Sequence, residues 1–262
     1  MVHSLIAPLR AFPAPLPSVY VTSFLYGVHI NKRGEGHGPN YLLGTLSRWG
    51  WWYYYLVALA FKLPTGLWLL LALSAVETVR RPQHGPVVEC ALLLAPIALI
   101  ILMSSSTAQI GVRYVLPILP FLLVSVGRVV VDFQRRSRVY RSAVVVAVAW
   151  MVVSSLSFYP HYLSYFNELI GSRLNMYKIL ADSNIDWKQN DYYLEDYLRQ
   201  NAGKVIHVNP EKPVTGTVVV NVNRLVGVTA PLARYDWLRS RREPVGHIGY
   251  SWLIYDIGSA SW

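Results

Sequence analysis

The sequence has one cysteine, Cys90, and little charge: 15% of its 262 residues are Asp, Glu, Lys or Arg. A single cysteine excludes a disulfide within the chain and a cysteine-based zinc site. An average soluble domain carries roughly 25% charged residues. The shortfall, set beside 53% apolar residues, points to lipid as part of the solvent. A glycine-rich phosphate loop, an ordered Ser-His-Asp set and a conspicuous pair of carboxylates are also missing. The N-terminus lacks the charged start and long apolar core of a signal peptide, and Pro8, Pro13, Pro15 and Pro17 interrupt it. Such a start before outward-facing segments leads us to expect that residues upstream are absent, or that the chain is half of a split protein.

What is present is basic and unevenly spread. The net charge is +10. Residues 1–158 hold 13 Lys/Arg against 4 Asp/Glu, and residues 159–262 hold 11 against 10. The excess therefore belongs to the apolar part, where Arg80, Arg81, Arg128, Arg135, Arg136, Arg138 and Arg141 flank the apolar runs. Flanking cations set topology. Nucleic-acid binding is excluded on this distribution, because a basic groove needs its cations on one solvated face.

Four stretches have about the 20 apolar residues a membrane helix needs: Leu56–Val79, interrupted by Lys62 and Pro64, then Val87–Ser106, Tyr114–Val131 and Ser142–Phe158. Arginines concentrate in the first and third short connections, which the positive-inside rule places in the cytoplasm. Residues 1–50 then read as an irregular extracytoplasmic or interfacial segment, residues 51–158 as a transmembrane helical domain, and residues 159–262 as a soluble extracytoplasmic domain. Trp49, Trp51, Trp52, Tyr53, Tyr54 and Tyr55 form a cluster suited to the headgroup level. The tail predicts a helix at Tyr192–Gln200, strands at Lys204–Val208 and Thr217–Val222, and a final strand or hairpin at His247–Ile257. The expected fold is thus an α-helical integral membrane protein of about four spans with a small C-terminal α/β domain.

Few residues carry chemistry. Lys62 is ionisable inside an apolar run, so it either meets an anion at the outer interface or snorkels to the headgroups. Arg113 is the lone cation of its connection, and a guanidinium offers a planar fork to phosphate; an interfacial ion pair is the other reading. Asp182, Asn184 and Asp186 alternate like the start of a calcium loop. Trp187 stands where that loop needs glycine and Tyr193 where it needs glutamate, so Asp182, Asn184, Asp186 and Trp187 read as a structural turn. His29, Glu35 and His37 lie in a glycine-rich stretch without ligand spacing and read as an exposed loop, with no metal expected. No cofactor is expected either.

Several segments in series carry a resemblance: Tyr41-Leu42-Leu43-Gly44, Gly50-Trp51-Trp52-Tyr53-Tyr54, Ala60-Phe61-Lys62-Leu63-Pro64, Ile110 to Pro117, Tyr159 to Glu168, Asp182 to Trp187, and Trp237 through Ser251. Together they resemble the C-terminal half of bacterial GT-C membrane glycosyltransferases, relatives of protein O-mannosyltransferases and aminoarabinose transferases. The resemblance implies transfer of a sugar from a polyprenyl-phosphate carrier to an acceptor on the outer face of the bacterial inner membrane. It gives Lys62 and Arg113 the carrier phosphate to grip, where positive charge would stabilise the leaving group. It places the family's catalytic acid in a first outer loop that has no counterpart here, so no catalytic residue is assigned. The chain is then expected to be incomplete alone, with its missing half in a longer parent or a partner subunit. The alternative is a non-catalytic scaffold or lipid-carrier-binding protein of envelope assembly. Two positions depart from the family pattern: Lys188 stands for the glycine that follows Asp-Trp, and Asn190 for the acid after Gln189.

Overall fold

In the computed structural model, residues 18–34, 38–80, 85–240 and 242–258 are described. Glu35, His37 and Arg81 lie outside them. Residues 18–33 are not irregular, as expected above, but form a helix, α1 (Ser18–Arg33). It ends in Lys32 and Arg33, which suit the negative end of a helix dipole. Its Asn31 holds Thr107: the Thr107 backbone N–H donates to Asn31 Oδ1 at 2.7 Å. A hairpin follows, β1 (Asn40–Leu42) and β2 (Thr45–Ser47). Its two-residue turn takes positive φ at Leu43 and Gly44, as tight hairpins require.

The first expected span is broken. α2 (Tyr54–Lys62) and α3 (Thr65–Arg80) meet at 108° across Leu63-Pro64. Pro64 has no N–H and forces Leu63 into extended backbone. The orphaned carbonyls of the α2 end go to one residue. Asn167 Nδ2 donates to Ala60 O at 2.6 Å and Leu63 O at 2.7 Å, and its backbone N–H donates to Phe61 O at 2.8 Å. α3 then packs on α6 (Arg138–Leu156), with Gly66 at the crossing, where a Cβ would lie 2.2 Å from Ala147 O. Between them in sequence run α4 (Pro86–Ser104), a 3-10 segment (Val112–Ile118) and α5 (Leu119–Gly127).

Among the described residues, three stretches are long and apolar enough to cross a membrane: Val87–Ser104, Val112–Val130 and Arg138–Leu156. The bent α2–α3 pair makes a fourth only if counted as one span. At the Arg80 end of the bundle two arginines are paired with glutamates. Arg136 forks onto Glu77 through Nη1–Oε1 at 3.1 Å and Nη2–Oε2 at 2.5 Å. Buried Arg128 meets Glu89 at 2.8 Å and also donates to Thr78.

The tail is a four-stranded sheet in the order β3 (Ile206–Val208), β4 (Gly216–Asn221), β6 (Trp252–Ile257), β5 (Gly246–Ile248), with β3 parallel to β4 and the other pairs antiparallel. The period of two is plain. Val218 and Val220 of β4, with Leu253 and Tyr255 of β6, face one core; Val219 and Trp252 face Leu194 of α7 (Asp191–Gln200) on the other side. The first of these cores is shared. It also contains Tyr54, Tyr55 and Leu59 of α2, Leu42 of the hairpin, and Phe166 and Leu180. Tyr54 and Tyr55 are therefore core residues, 1% and 0% exposed, whereas Trp49 and Trp52 of the same aromatic cluster are exposed. The expectation of an interfacial cluster fails for these two tyrosines because the bend turns α2 beneath the sheet.

Candidate functional site at the junction of helices and sheet

The Asp182–Trp187 turn joins the two cations singled out above. Its centre is Asn184, 1% exposed. Asn184 Nδ2 donates to Tyr54 Oη at 2.9 Å and Ala181 O at 3.1 Å, its Oδ1 accepts from the Val112 N–H at 3.0 Å, and its carbonyl accepts from Lys62 Nζ. One side chain thereby ties α2, the 3-10 segment before α5, and the turn itself. Ser183 adds a bond to Ile110 O. Asp186 is occupied too: Oδ1 accepts from the Lys188 N–H at 2.9 Å and Oδ2 from Asn221 Nδ2 at 2.8 Å.

Lys62 does not simply reach for solvent. Its ammonium donates to Leu163 O at 2.9 Å and to Asn184 O, and stands 4.4 Å from the Phe166 ring centre. None of these partners carries a countercharge. Arg113 is held in the same manner. Its guanidinium lies over Trp187 at 4.4 Å and over Tyr114 at 5.0 Å, and its one hydrogen bond among the described residues is a long 3.3 Å contact to Tyr114 Oη. Nη1 is left without a partner. Rings cover the guanidinium's faces, while its N–H groups lie in its plane.

Beside these residues runs an apolar cleft of about 590 Å³ between α3, α4 and α5. It starts at Leu63, adjacent to Lys62, and at Ile118, on the same 3-10 segment as Arg113, and ends at Glu89 and Arg128. Its middle is lined by residues such as Leu71, Leu93 and Ile97.

The two departures from the expected pattern have structural accounts. Lys188 adopts φ +64°, the left-handed conformation that favours glycine, and the turn persists with lysine there. Asn190, 1% exposed, donates through Nδ2 to Gly249 O and Ser251 Oγ, both at 2.7 Å, and its Oδ1 lies 2.9 Å from His161 Nδ1. A carboxylate there would lose both donations. Nearby, burial pushes the His247 imidazole down from its ordinary value, with His161 and Arg173 adding to the effect.

Sequence reasoning did not single out Asn167 as the helix cap or Asn184 as the hub. Nor did it single out Glu77 and Glu89, although acids within apolar runs are a signal of the kind that marked Lys62.

Helices of this length and apolarity, with a bent span under an appended sheet, define an integral membrane protein. The family model for Alg9-like mannosyltransferases matches residues 49–196, more than half of the chain, and the chain belongs to that family. It is a GT-C-type family of membrane glycosyltransferases that use a lipid-linked sugar donor. The GT-C class is the one the sequence resembled; the matching branch is the Alg9-like one. Searches of curated proteins and of solved structures find no significant match.

Proposed function

We propose that this chain forms the carrier-binding part of a glycosyltransferase that moves a sugar from a polyprenyl-phosphate carrier to an acceptor on the outer face of a bacterial inner membrane. On this reading the sheet domain lies outside the cytoplasm, and a missing N-terminal half or a partner subunit supplies the catalytic acid. The observation that carries the reading is that Lys62 and Arg113, neither with a countercharge among the described residues, sit on the two segments whose Leu63 and Ile118 line one end of an apolar cleft. A polyprenyl phosphate has the matching shape, an anionic head on an apolar chain. The cleft takes the isoprenoid units and the guanidinium edge takes the phosphate oxygens. As the sugar–phosphate bond breaks, charge grows on that phosphate, and fixed positive charge favours the change.

The test is binding of a polyprenyl phosphate to the purified chain in detergent. Arg113→Ala should weaken binding at least tenfold with the melting temperature unchanged. Arg113→Lys should restore only part, because lysine keeps the charge and loses the ring-stacked fork. Unchanged affinity in Arg113→Ala would end the phosphate assignment. Retained binding without turnover, once the missing half is supplied, would favour the carrier-binding scaffold instead.

A further inference from the structure

A second cleft, of about 570 Å³, opens on the sheet side of the Asp182–Trp187 turn. Asp186 and Asn223, each nine-tenths buried, stand in its wall, and so do Trp187, Lys188, Asp191, Arg224 and Trp252. The whole of the sheet that completes it lies beyond residues 49–196, the part matched to the family.

Its charges are arranged unusually. Asp191 and Arg224 share the cleft, yet among the described residues neither the Asp191 carboxylate nor the Arg224 guanidinium has a side-chain partner. Asp191 Oδ1 is a buried acceptor without a donor, and Trp252 Nε1, on a residue 7% exposed, is a buried donor without an acceptor. Buried groups left without partners are destabilising, so the cleft is suited to completion by something that both donates and accepts. The formal charges of Asp186, Asp191, Lys188 and Arg224 cancel, which disfavours an ion of either sign. Trp187, 61% exposed, adds a broad ring at the rim. A peptide strand finds no open backbone edge here, because Asn221 and Trp252 pair with each other on the two inner strands of the sheet. The volume falls within the roughly 300–1,000 Å³ typical of small-molecule sites.

We propose that this cleft binds a neutral saccharide, whose hydroxyls meet Asp191, Arg224 and Trp252 while a ring face rests on Trp187. Its place in the reaction rests on the glycosyltransferase reading: Trp187 is the ring that also covers Arg113, so a sugar held here sits next to the proposed phosphate grip. Donor sugar and acceptor glycan share this chemistry.

Saturation-transfer NMR and calorimetry on the full chain in nanodiscs, without any lipid carrier, test the cleft by itself. The probes are methyl α-D-mannopyranoside, an α-linked mannotriose and, as a control, a serine- and threonine-containing hexapeptide. Saccharide binding is expected, with at least a tenfold loss in Arg224→Ala and in Asp191→Ala. Arg224→Ala serves as the second variant because Asp191 also opens α7 and its loss unsettles that helix start. Binding that survives in Arg113→Ala shows that the cleft stands independently of the phosphate grip. Displacement of the triose by a polyprenyl-phosphate sugar marks the cleft as the donor's, and coexistence of the two marks it as the acceptor's; either supports a saccharide site. A folded protein that binds neither saccharide overturns the proposal. So does binding unaffected by the Asp191→Ala/Arg224→Ala pair, or capture of the hexapeptide alone.

Discussion

The two ends of the helical bundle handle buried charge in opposite ways. At the Arg80 end, arginine meets glutamate: Arg128 with Glu89, Arg136 with Glu77. Ion pairs there cancel charge within the helices. At the sheet end, Lys62 and Arg113 are held by backbone carbonyls and aromatic faces. Those partners supply geometry and partial negative potential but no countercharge. The first arrangement closes a bundle. The second leaves two basic side chains without a countercharge among the described residues, which is the feature the proposed phosphate grip relies on.

The comparison is open to direct challenge. The largest effect is expected where a charge is stranded. Glu89→Leu leaves Arg128 buried beside Thr78 and should cost about 3–5 kcal/mol, and adding Arg128→Met should recover most of it. Denaturation of the two variants in detergent reads this, and equal instability of the single and double variants would show that the pair is not closed on itself. Next comes the hub at the sheet end. Asn184→Ala removes the partners of Tyr54 Oη, Ala181 O and the Val112 N–H, for a loss of roughly 2–3 kcal/mol; a melting curve matching the parent would discount Asn184 as the tie between helices and turn. The smallest effect has the opposite sign. Lys188→Gly relieves a left-handed lysine and should stabilise the chain by about 0.5–1 kcal/mol after glycine's own entropic cost. A destabilised Lys188→Gly variant would mean that the lysine side chain contributes more than its backbone costs.

The parts of this architecture that were legible in the sequence are those governed by local rules. Apolar runs located Val87–Ser104 and Arg138–Leu156, because lipid demands a length and a composition. The Val-rich stretch Thr217–Val222 located β4 to within a residue, and His247–Ile257, read as a strand or hairpin, is the hairpin of β5 and β6. Lys62 stood out because charge inside an apolar run is costly, and Arg113 because it is the lone cation of its connection. The bend at Pro64 was visible as an interruption. Its angle was not, since that depends on Asn167, a residue more than a hundred positions away. Tyr54 and Tyr55 resembled their exposed neighbours Trp49 and Trp52 in composition and differ only through what folds over them. The cleft proposed for a saccharide was illegible for the same reason: Asp191, Arg224 and Trp252 come from a helix start, a one-turn helix and a strand, and nothing in their spacing brings them together.

The shared core beneath the sheet also sets an order of events. Tyr54, Tyr55 and Leu59 are synthesised before any of the later membrane helices, but the strands that bury them, carrying Val220 and Leu253, come roughly 160 to 200 residues afterwards. At the roughly 5–20 residues per second of synthesis, α2 waits on the order of ten seconds or more with an aromatic face uncovered. During that wait the bilayer surface or a chaperone must shelter it. Maturation of this protein is therefore ordered along the chain: helices placed early are locked only when the last strand arrives.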